Sequence, residues 1–170
     1  EGPEGITLGI PLPPGRGRTR IALRLAPGAV LSMAAPPPLQ DVIPSAPLPW
    51  RDPLTRLAAG ADALGVTLRV YGSLLWQHLT GEQHITAHSD IDLLLRAGHT
   101  RQLHAALMLL QAWQRDTGLR LDGELLLHGE RAVAWRELLG TSPQVMLKSA
   151  TAVALLARTE VLSLLSGTRP

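Results

Sequence analysis

Two short runs of this sequence bring together residue types that could do chemistry. Leu68-Arg69-Val70-Tyr71-Gly72-Ser73 is an apolar run ending in Gly-Ser, and Ser89-Asp90-Ile91-Asp92-Leu93-Leu94-Leu95 is an apolar run opening with two acids. Residues i and i+2 of a β-strand point to the same face, so Asp90 and Asp92 converge. Two ionised carboxylates that close repel each other, and a divalent cation that favours oxygen ligands, Mg²⁺ above all, removes the repulsion. Gly-Ser at a strand-to-helix junction supplies the complement. Glycine admits a phosphate close to the backbone, and the free N–H groups of a helix N-terminus attract anions. Gly72 and Ser73 are therefore expected to bind phosphate and Asp90 and Asp92 to bind metal, the two runs together holding a metal-chelated polyphosphate.

A strand, a helix and a second strand are needed to position these side chains. Residues 66–71 alternate as a strand, residues 73–80 fit a short helix stopped by Gly81, residues 82–88 form a polar loop, and residues 90–95 read as the second strand. Upstream, Asp52-Pro53 has the form of an N-cap followed by a first-turn proline, ahead of Leu54, Leu57, Ala58, Ala61 and Leu64 at helical spacing. Downstream, residues 100–115 are amphipathic, with Gly118 as their stop. Residues 119–127 form a third strand interrupted by Gly123, and residues 131–133 pair back on it. A short helix at 135–139, a strand at 144–147 and a Leu- and Ala-rich terminal helix at 149–166 complete the chain. Residues 1–50 hold eleven of the fourteen prolines, which excludes long helices there. Within them, residues 6–10 and 20–25 alternate as strands joined by a loop from Pro13 to Thr19, and Pro36-Pro37-Pro38 and the stretch from Pro44 to Pro49 read as extended connectors.

Tyr71-Gly72-Ser73 and Ser89-Asp90-Ile91-Asp92 resemble the signature of the nucleotidyltransferase superfamily related to DNA polymerase β. Together with Asp122-Gly123-Glu124-Leu125 and Arg131-Ala132-Val133-Ala134-Trp135-Arg136-Glu137-Leu138, they look like the malonate decarboxylase holo-acyl-carrier-protein synthases, also called phosphoribosyl-dephospho-CoA transferases. The similarity runs from about residue 52 to residue 165. It implies an α/β fold, a small mixed sheet of nucleotidyltransferase type with helices behind it, to which the proline content and alternation of the first 50 residues add a proline-rich N-terminal β segment. Residues 1–51 would then be a hairpin and linker, and residues 52–170 the catalytic domain. A third carboxylate from a neighbouring strand is also implied. Asp122 is the first choice and Glu124, of the same parity, the alternative. Asp90, Asp92 and Asp122 would hold two Mg²⁺ ions, with Mn²⁺ as the substitute. The implied donor is 2′-(5″-triphosphoribosyl)-3′-dephospho-CoA, the acceptor a serine of the acyl carrier subunit of malonate decarboxylase, and the by-product pyrophosphate. Two other functions share the motif: transfer of AMP to a protein or small alcohol, and nucleotide binding without catalysis.

The remaining candidates compete with plainer readings. Asp122-Gly123 is also a turn signal. Ser73 lacks the elbow motif of a serine nucleophile and is better read as a phosphate ligand and helix cap. His84 and His88 stand at i and i+4, a zinc spacing only on a helix, and here they fall in a polar loop at the edge of the substrate pocket. Gly15-Arg16-Gly17-Arg18 lacks the Lys-Ser/Thr and the strand–helix context of a phosphate loop. Lys148 is equally a phosphate contact and a solvated cap, and Arg136 with Glu137 equally an ion pair and a substrate contact. Fifteen of the sixteen basic residues are Arg, and the net charge of +2 is too mild to imply a nucleic-acid partner. Arg16, Arg18, Arg20 and Arg24 crowd four positive charges into nine residues, a surface suited to an acidic carrier protein. With no cysteine, neither disulfides nor thiolate metal sites arise. The first residues lack the form of a signal peptide, and Arg158 and Glu160 break the last apolar stretch, so a cytoplasmic protein away from membranes is expected.

Overall fold

A computed structural model describes residues 5–17 and 19–166. These form two sheets. A two-stranded antiparallel hairpin pairs β1 (Ile6–Pro11) with β2 (Arg20–Leu25), and a six-stranded mixed sheet runs in the order β3-β4-β5-β6-β7-β8. Its strands are β3 (Leu68–Tyr71), β4 (Ile91–Leu95), β5 (Leu121–Leu127), β6 (Arg131–Ala134), β7 (Gln144–Lys148) and β8 (Val153–Ala157). Only β4 and β5 are parallel; every other neighbouring pair is antiparallel. The expected mixed α/β architecture is thus observed.

Alternation along the strands divides the sheet into two faces. Leu68, Val70, Ile91, Leu93, Leu95, Leu121, Leu125, Val133 and Val145 are buried in one continuous core. The helices α2 (Leu48–Ala63) and α4 (Thr100–Thr117) feed that core with Leu54, Leu57 and Ala61, and with Leu103, Leu110 and Trp113. Tyr71, Asp92, Leu94, Asp122 and Glu124 alternate with the buried set and are half-exposed on the opposite face. The polar residues of the two motifs therefore share one open face of the sheet. The helix α4 is the crossover that parallel pairing of β4 with β5 requires. It is capped by His99, whose Nδ1 accepts from the Gln102 amide at 3.1 Å, and it is stopped by Gly118 at φ +70°.

Two expectations are corrected. The first helix does not start at Asp52: α2 begins at Leu48, so that the 51/52 division falls inside a helix. Pro49 occupies the first turn, where its missing N–H is no loss, and Pro53 is accommodated within the helix. The short helix α1 (Leu39–Val42) buries Leu39 and Val42 in the same core, while Pro37 O accepts the Val70 amide at 2.9 Å along the free edge of β3. Carbonyls of the proline run thus cover a sheet edge, which prolines can do without donating.

The second correction concerns residues 149–166. They do not form one helix: β8 pairs antiparallel with β7 over five residues, and only then does α6 (Arg158–Ser163) follow. Leu and Ala favour a helix in isolation, but an unpaired β7 edge rewards strand pairing. Ser149 N–H donates to Ala152 O at 2.8 Å in the turn. Arg158 then locks the exit, donating to Leu138 O at 2.6 Å at the end of the helix α5 (Trp135–Leu139). Among the described residues no helix is long and apolar enough to cross a membrane.

Candidate active site

β3 leads directly into the helix α3 (Gly72–Thr80), which ends at Gly81 with φ +70°. Tyr71, the last residue of β3, is in register with Asp92 of β4, and Asp92 is in register with Asp122 of β5. The Gly-Ser junction, the Asp-x-Asp strand and the expected third acid are thereby neighbours across three strands. Adjacent strands lie about 4.8 Å apart, so residues facing each other across a parallel pair feel one another's charge strongly.

Asp92 is the centre of the site. Its carboxyl is pushed up to about 6 by burial first, then by the charges of Asp122 and Asp90, while a hydrogen bond from the Ser73 backbone amide works the other way. Tyr71 is raised as well, by burial and then by Asp92, Glu124 and Asp122. A carboxylate held where its ionisation is opposed is a site awaiting a positive charge. Gly72 sits at φ +64°, and a Cβ there would overlap Asp92 Oδ2. The approach of Asp92 is thus one reason for a glycine at this position.

Cationic side chains hold the other acids. Asp90 lies just ahead of β4, where its Oδ1 is 2.5 Å from Arg120 Nε. That ion pair does not have hydrogen-bond geometry, and the buried oxygen is left without a donor. Asp122 Oδ1 lies 3.5 Å from Arg136 Nε, and the same guanidinium donates to Leu121 O and to Gln114 Oε1. Glu124 Oε1 accepts from Lys148 Nζ at 2.8 Å, a contact that raises the lysine's pKa. Glu124, the alternative third acid, therefore has its own counter-ion. Asp122 is the acid aligned with Asp92. Gly123 lies inside β5 at φ +138°, and a Cβ there would strike the Leu93 backbone, so Asp122-Gly123 is not a turn but a strand residue followed by a close approach of β4 and β5.

The donor set fits a hard cation. The Asp92 carboxyl, half-buried beside Asp122 with its ionisation opposed, favours one, whereas Asp90 already faces Arg120. Among the described residues no three His, Asp or Glu side chains stand close enough to hold an ion alone. The three expected ligands Asp90, Asp92 and Asp122 are therefore not gathered into one cluster.

A cleft of about 480 Å³ opens beside Asp92, Gly72 and Ser73. Its other walls come from Trp76 on α3, from His84, Thr86, His88 and Ser89 in the following loop, and from Pro11, Leu12, Pro14, Thr19 and Arg20 of the hairpin. The hairpin thus reaches the motif residues, which nothing in local sequence signals. Of the four arginines assigned to a partner surface, Arg20 lines the cleft. Arg16 donates to Glu82 Oε1 at 3.3 Å, tying the hairpin tip to the loop after α3. Arg24 lies on the exposed strand face, and Arg18 lies outside the described residues. His84 and His88 stand in a loop, as expected, and not on a zinc-binding helix.

Arg136 and Glu137 do not serve as an ion pair for each other. Arg136 goes to Asp122, and Glu137 Oε2 accepts the Met146 amide at 2.7 Å. Sequence reasoning missed Arg120 and Arg136 as partners of the acids, and Trp76 as a wall of the cleft. The placement of Trp76 three residues after Ser73, nearly one helical turn on, was the one signal for the last.

A family model described as phosphoribosyl-dephospho-CoA transferase MdcG C-terminal domain matches residues 38–159. A protein of Xanthomonas euvesicatoria pv. vesicatoria named phosphoribosyl-dephospho-CoA transferase is 42% identical over 158 residues, covering 93% of this chain and 74% of the relative. One of the same name from Bradyrhizobium diazoefficiens is 39% identical over 159 residues, covering 94% and 70%. No solved structure matches the chain. On the extent of these matches, which include the Gly-Ser and Asp-x-Asp strands, the chain belongs to the phosphoribosyl-dephospho-CoA transferase family.

Proposed function

We propose that this protein transfers the phosphoribosyl-dephospho-CoA group from 2′-(5″-triphosphoribosyl)-3′-dephospho-CoA to a serine hydroxyl of the acyl carrier subunit of malonate decarboxylase, on a sheet of nucleotidyltransferase type. The observation that carries the chemistry is the position of Asp92, in register with Asp122, hydrogen-bonded by the Ser73 amide and set in the wall of a cleft. Family membership supports the choice of substrates.

In the reaction the serine oxygen bonds to the α-phosphorus as the bond from that phosphorus to the α,β-bridging oxygen breaks. The bridging oxygen leaves with pyrophosphate, and the serine proton passes to a carboxylate, Asp122 in our reading. Mg²⁺, two ions or Mn²⁺ in their place, would be held by Asp92 and Asp122 with Asp90, and when bound would neutralise phosphate charge and make the attacking hydroxyl more acidic. The protein's own part is positioning and electrostatics, as in phosphoryl transfer generally. Ser73 fixes Asp92 through its amide, Arg136 fixes Asp122, and Arg20 offers the cleft a positive charge for the donor's phosphates.

The test is to incubate the purified chain with the triphosphoribosyl donor, Mg²⁺ and the carrier subunit, and to weigh the carrier by mass spectrometry. The expected result is a mass gain of one phosphoribosyl-dephospho-CoA group, matched by pyrophosphate release and absent for a carrier with Ala at the accepting serine. A carrier that stays unmodified with this donor but gains AMP from ATP would overturn the proposal in favour of adenylyl transfer.

A further inference from the structure

Trp76 follows Ser73 by three residues on α3, so it lies about 4.5 Å further along the helix axis. The loop after α3 brings His84 back over it, with ring centroids 6.3 Å apart and planes inclined by 32°. Both side chains line the cleft that also contains Gly72, Ser73 and Asp92. His84 is only 6% exposed, yet its Nε2 is buried without a hydrogen-bond partner. Its position is not loose. Gln77 Oε1 accepts from the His84 and Ile85 amides at 3.2 and 3.1 Å, and Gln77 Nε2 donates to Ser45 O at 2.7 Å. A rigidly held imidazole with a buried, unpaired nitrogen in a cleft wall calls for a ligand, since buried polar atoms in folded proteins are almost always paired.

The ligand must combine a flat apolar face for the indole with polar atoms at its edge for the imidazole. A purine base has both: its faces stack on aromatic side chains, and its edge offers acceptors and a donor to either tautomer of His84. A pantetheine arm lacks the flat face and the edge. Pro11, Leu12 and Pro14 of the hairpin add apolar wall to the same cleft.

We propose that the cleft between the hairpin and α3 is the subsite for the purine base of the donor, which stacks on Trp76 while His84 Nε2 hydrogen-bonds its edge. The identity of that ligand as the adenine of a CoA derivative rests on the function proposed above.

The experiment titrates dephospho-CoA and, separately, 4′-phosphopantetheine into the full chain by calorimetry, using wild type, Trp76→Leu, Trp76→Phe and His84→Phe. Dephospho-CoA binding should weaken about tenfold in Trp76→Leu and in His84→Phe, and should survive in Trp76→Phe, which keeps a stacking face. Weak binding of 4′-phosphopantetheine should be the same in all four. Dephospho-CoA affinities that are equal throughout overturn the subsite, as does a loss confined to 4′-phosphopantetheine, which would put the arm in the cleft. Should Trp76→Leu or His84→Phe fail to fold, fluorescence decides. Trp113 and Trp135 are buried and Trp50, though partly exposed, does not line the cleft, so in a Trp50→Phe background dephospho-CoA must quench the exposed fraction of the emission, that of Trp76, and 4′-phosphopantetheine must not. Absence of that quenching overturns the proposal. A wild type that binds dephospho-CoA with the expected losses in the variants, yet transfers nothing to the carrier, leaves the subsite standing and removes the proposed reaction instead.

Discussion

A Cβ on Gly72 would overlap the carboxylate of Asp92, so the first residue of α3 and the central acid of β4 cannot be changed independently. The glycine's φ of +64° adds a second constraint, since a left-handed conformation costs an L-residue about 1–2 kcal/mol. Gly72→Ala should therefore destabilise the fold and push Asp92 from its place beside Asp122. A displacement of about 1 Å can reduce turnover by about 10²-fold. The linkage is measurable as a double-mutant cycle on Tm. Gly72→Ala should lower Tm more in the wild-type background than in Asp92→Ala, and equal losses in both would show that the overlap is relieved elsewhere.

Asp122 and Glu124 separate on their partners. Asp122→Asn should reduce transfer by about 10² or more, as loss of a positioned catalytic carboxylate commonly does. Glu124→Gln should do much less, because Glu124 is occupied by Lys148 at 2.8 Å. The same pair decides what Lys148 is for. If the lysine serves to neutralise Glu124, Lys148→Met alone leaves an uncompensated acid beside Asp122, and the double variant with Glu124→Gln should recover activity. If it grips phosphate, the double variant should be as poor as Lys148→Met. Transfer rates of the four proteins, read by carrier mass, distinguish the two.

The raised carboxyl of Asp92 makes stability depend on pH in a stated direction. Its value is about 6 in the fold against an ordinary 3.8. Between these values the folded state binds more protons than the unfolded one, so stability falls as pH rises through the window. Above pH 6 the penalty is fully present, and below about pH 4 it is gone. In the metal-free protein Asp92→Asn should therefore raise Tm at pH 7.5 by about 2–4 °C. This corresponds to about 1 kcal/mol once solvent screening of a half-exposed group is allowed for. It should leave Tm unchanged near pH 4. Mg²⁺ should raise the wild-type Tm at pH 7.5 and leave that of Asp92→Asn where it was. A wild-type Tm that instead climbs with pH between 4 and 6.5, relative to the variant, would contradict the assignment of Asp92 as the strained acid.

What was legible in the sequence was short in range. Gly72-Ser73 at the start of a helix, Asp92 near a strand start and the periodic face of α4 each depend on residues a turn or a strand-width apart and are found where the spacing puts them, whereas Asp90 falls just ahead of β4, against Arg120. The misreadings came from long-range pairing. Val153–Ala157 has the composition of a helix but sits against β7, whose edge would otherwise be unpaired. Pro47 and Pro49 looked like connector residues, although a proline is well placed in a first helical turn. The salt bridges from Arg120 and Arg136 to the acids, and the reach of the hairpin over Gly72, join residues far apart in the chain or held by intervening elements. No local pattern encodes them.

The hairpin arginines are the last test, because position now divides a cluster that sequence treated as one surface. Arg20 lines the cleft with Ser73 and Asp92, whereas Arg16 stands outside it, 3.3 Å from Glu82 in an exposed ion pair. Exposed pairs contribute about 0–1 kcal/mol, so Arg16→Ser should leave Tm almost unmoved. Arg20→Ser should raise the donor KM by several-fold with little change in the carrier KM, because a charge in the cleft meets phosphates before it meets a protein. Arg16 and Arg18 replaced together by Ser should do the reverse, raising the carrier KM and flattening its dependence on salt, since exposed charges act mainly on encounter and are screened over about 10 Å at 0.1 M. Steady-state kinetics with each substrate varied in turn, at low and high ionic strength, reads all four constants. A donor KM that moves with Arg16 and Arg18 but not with Arg20 would mean that the hairpin closes over the donor by its tip, and that the carrier docks elsewhere.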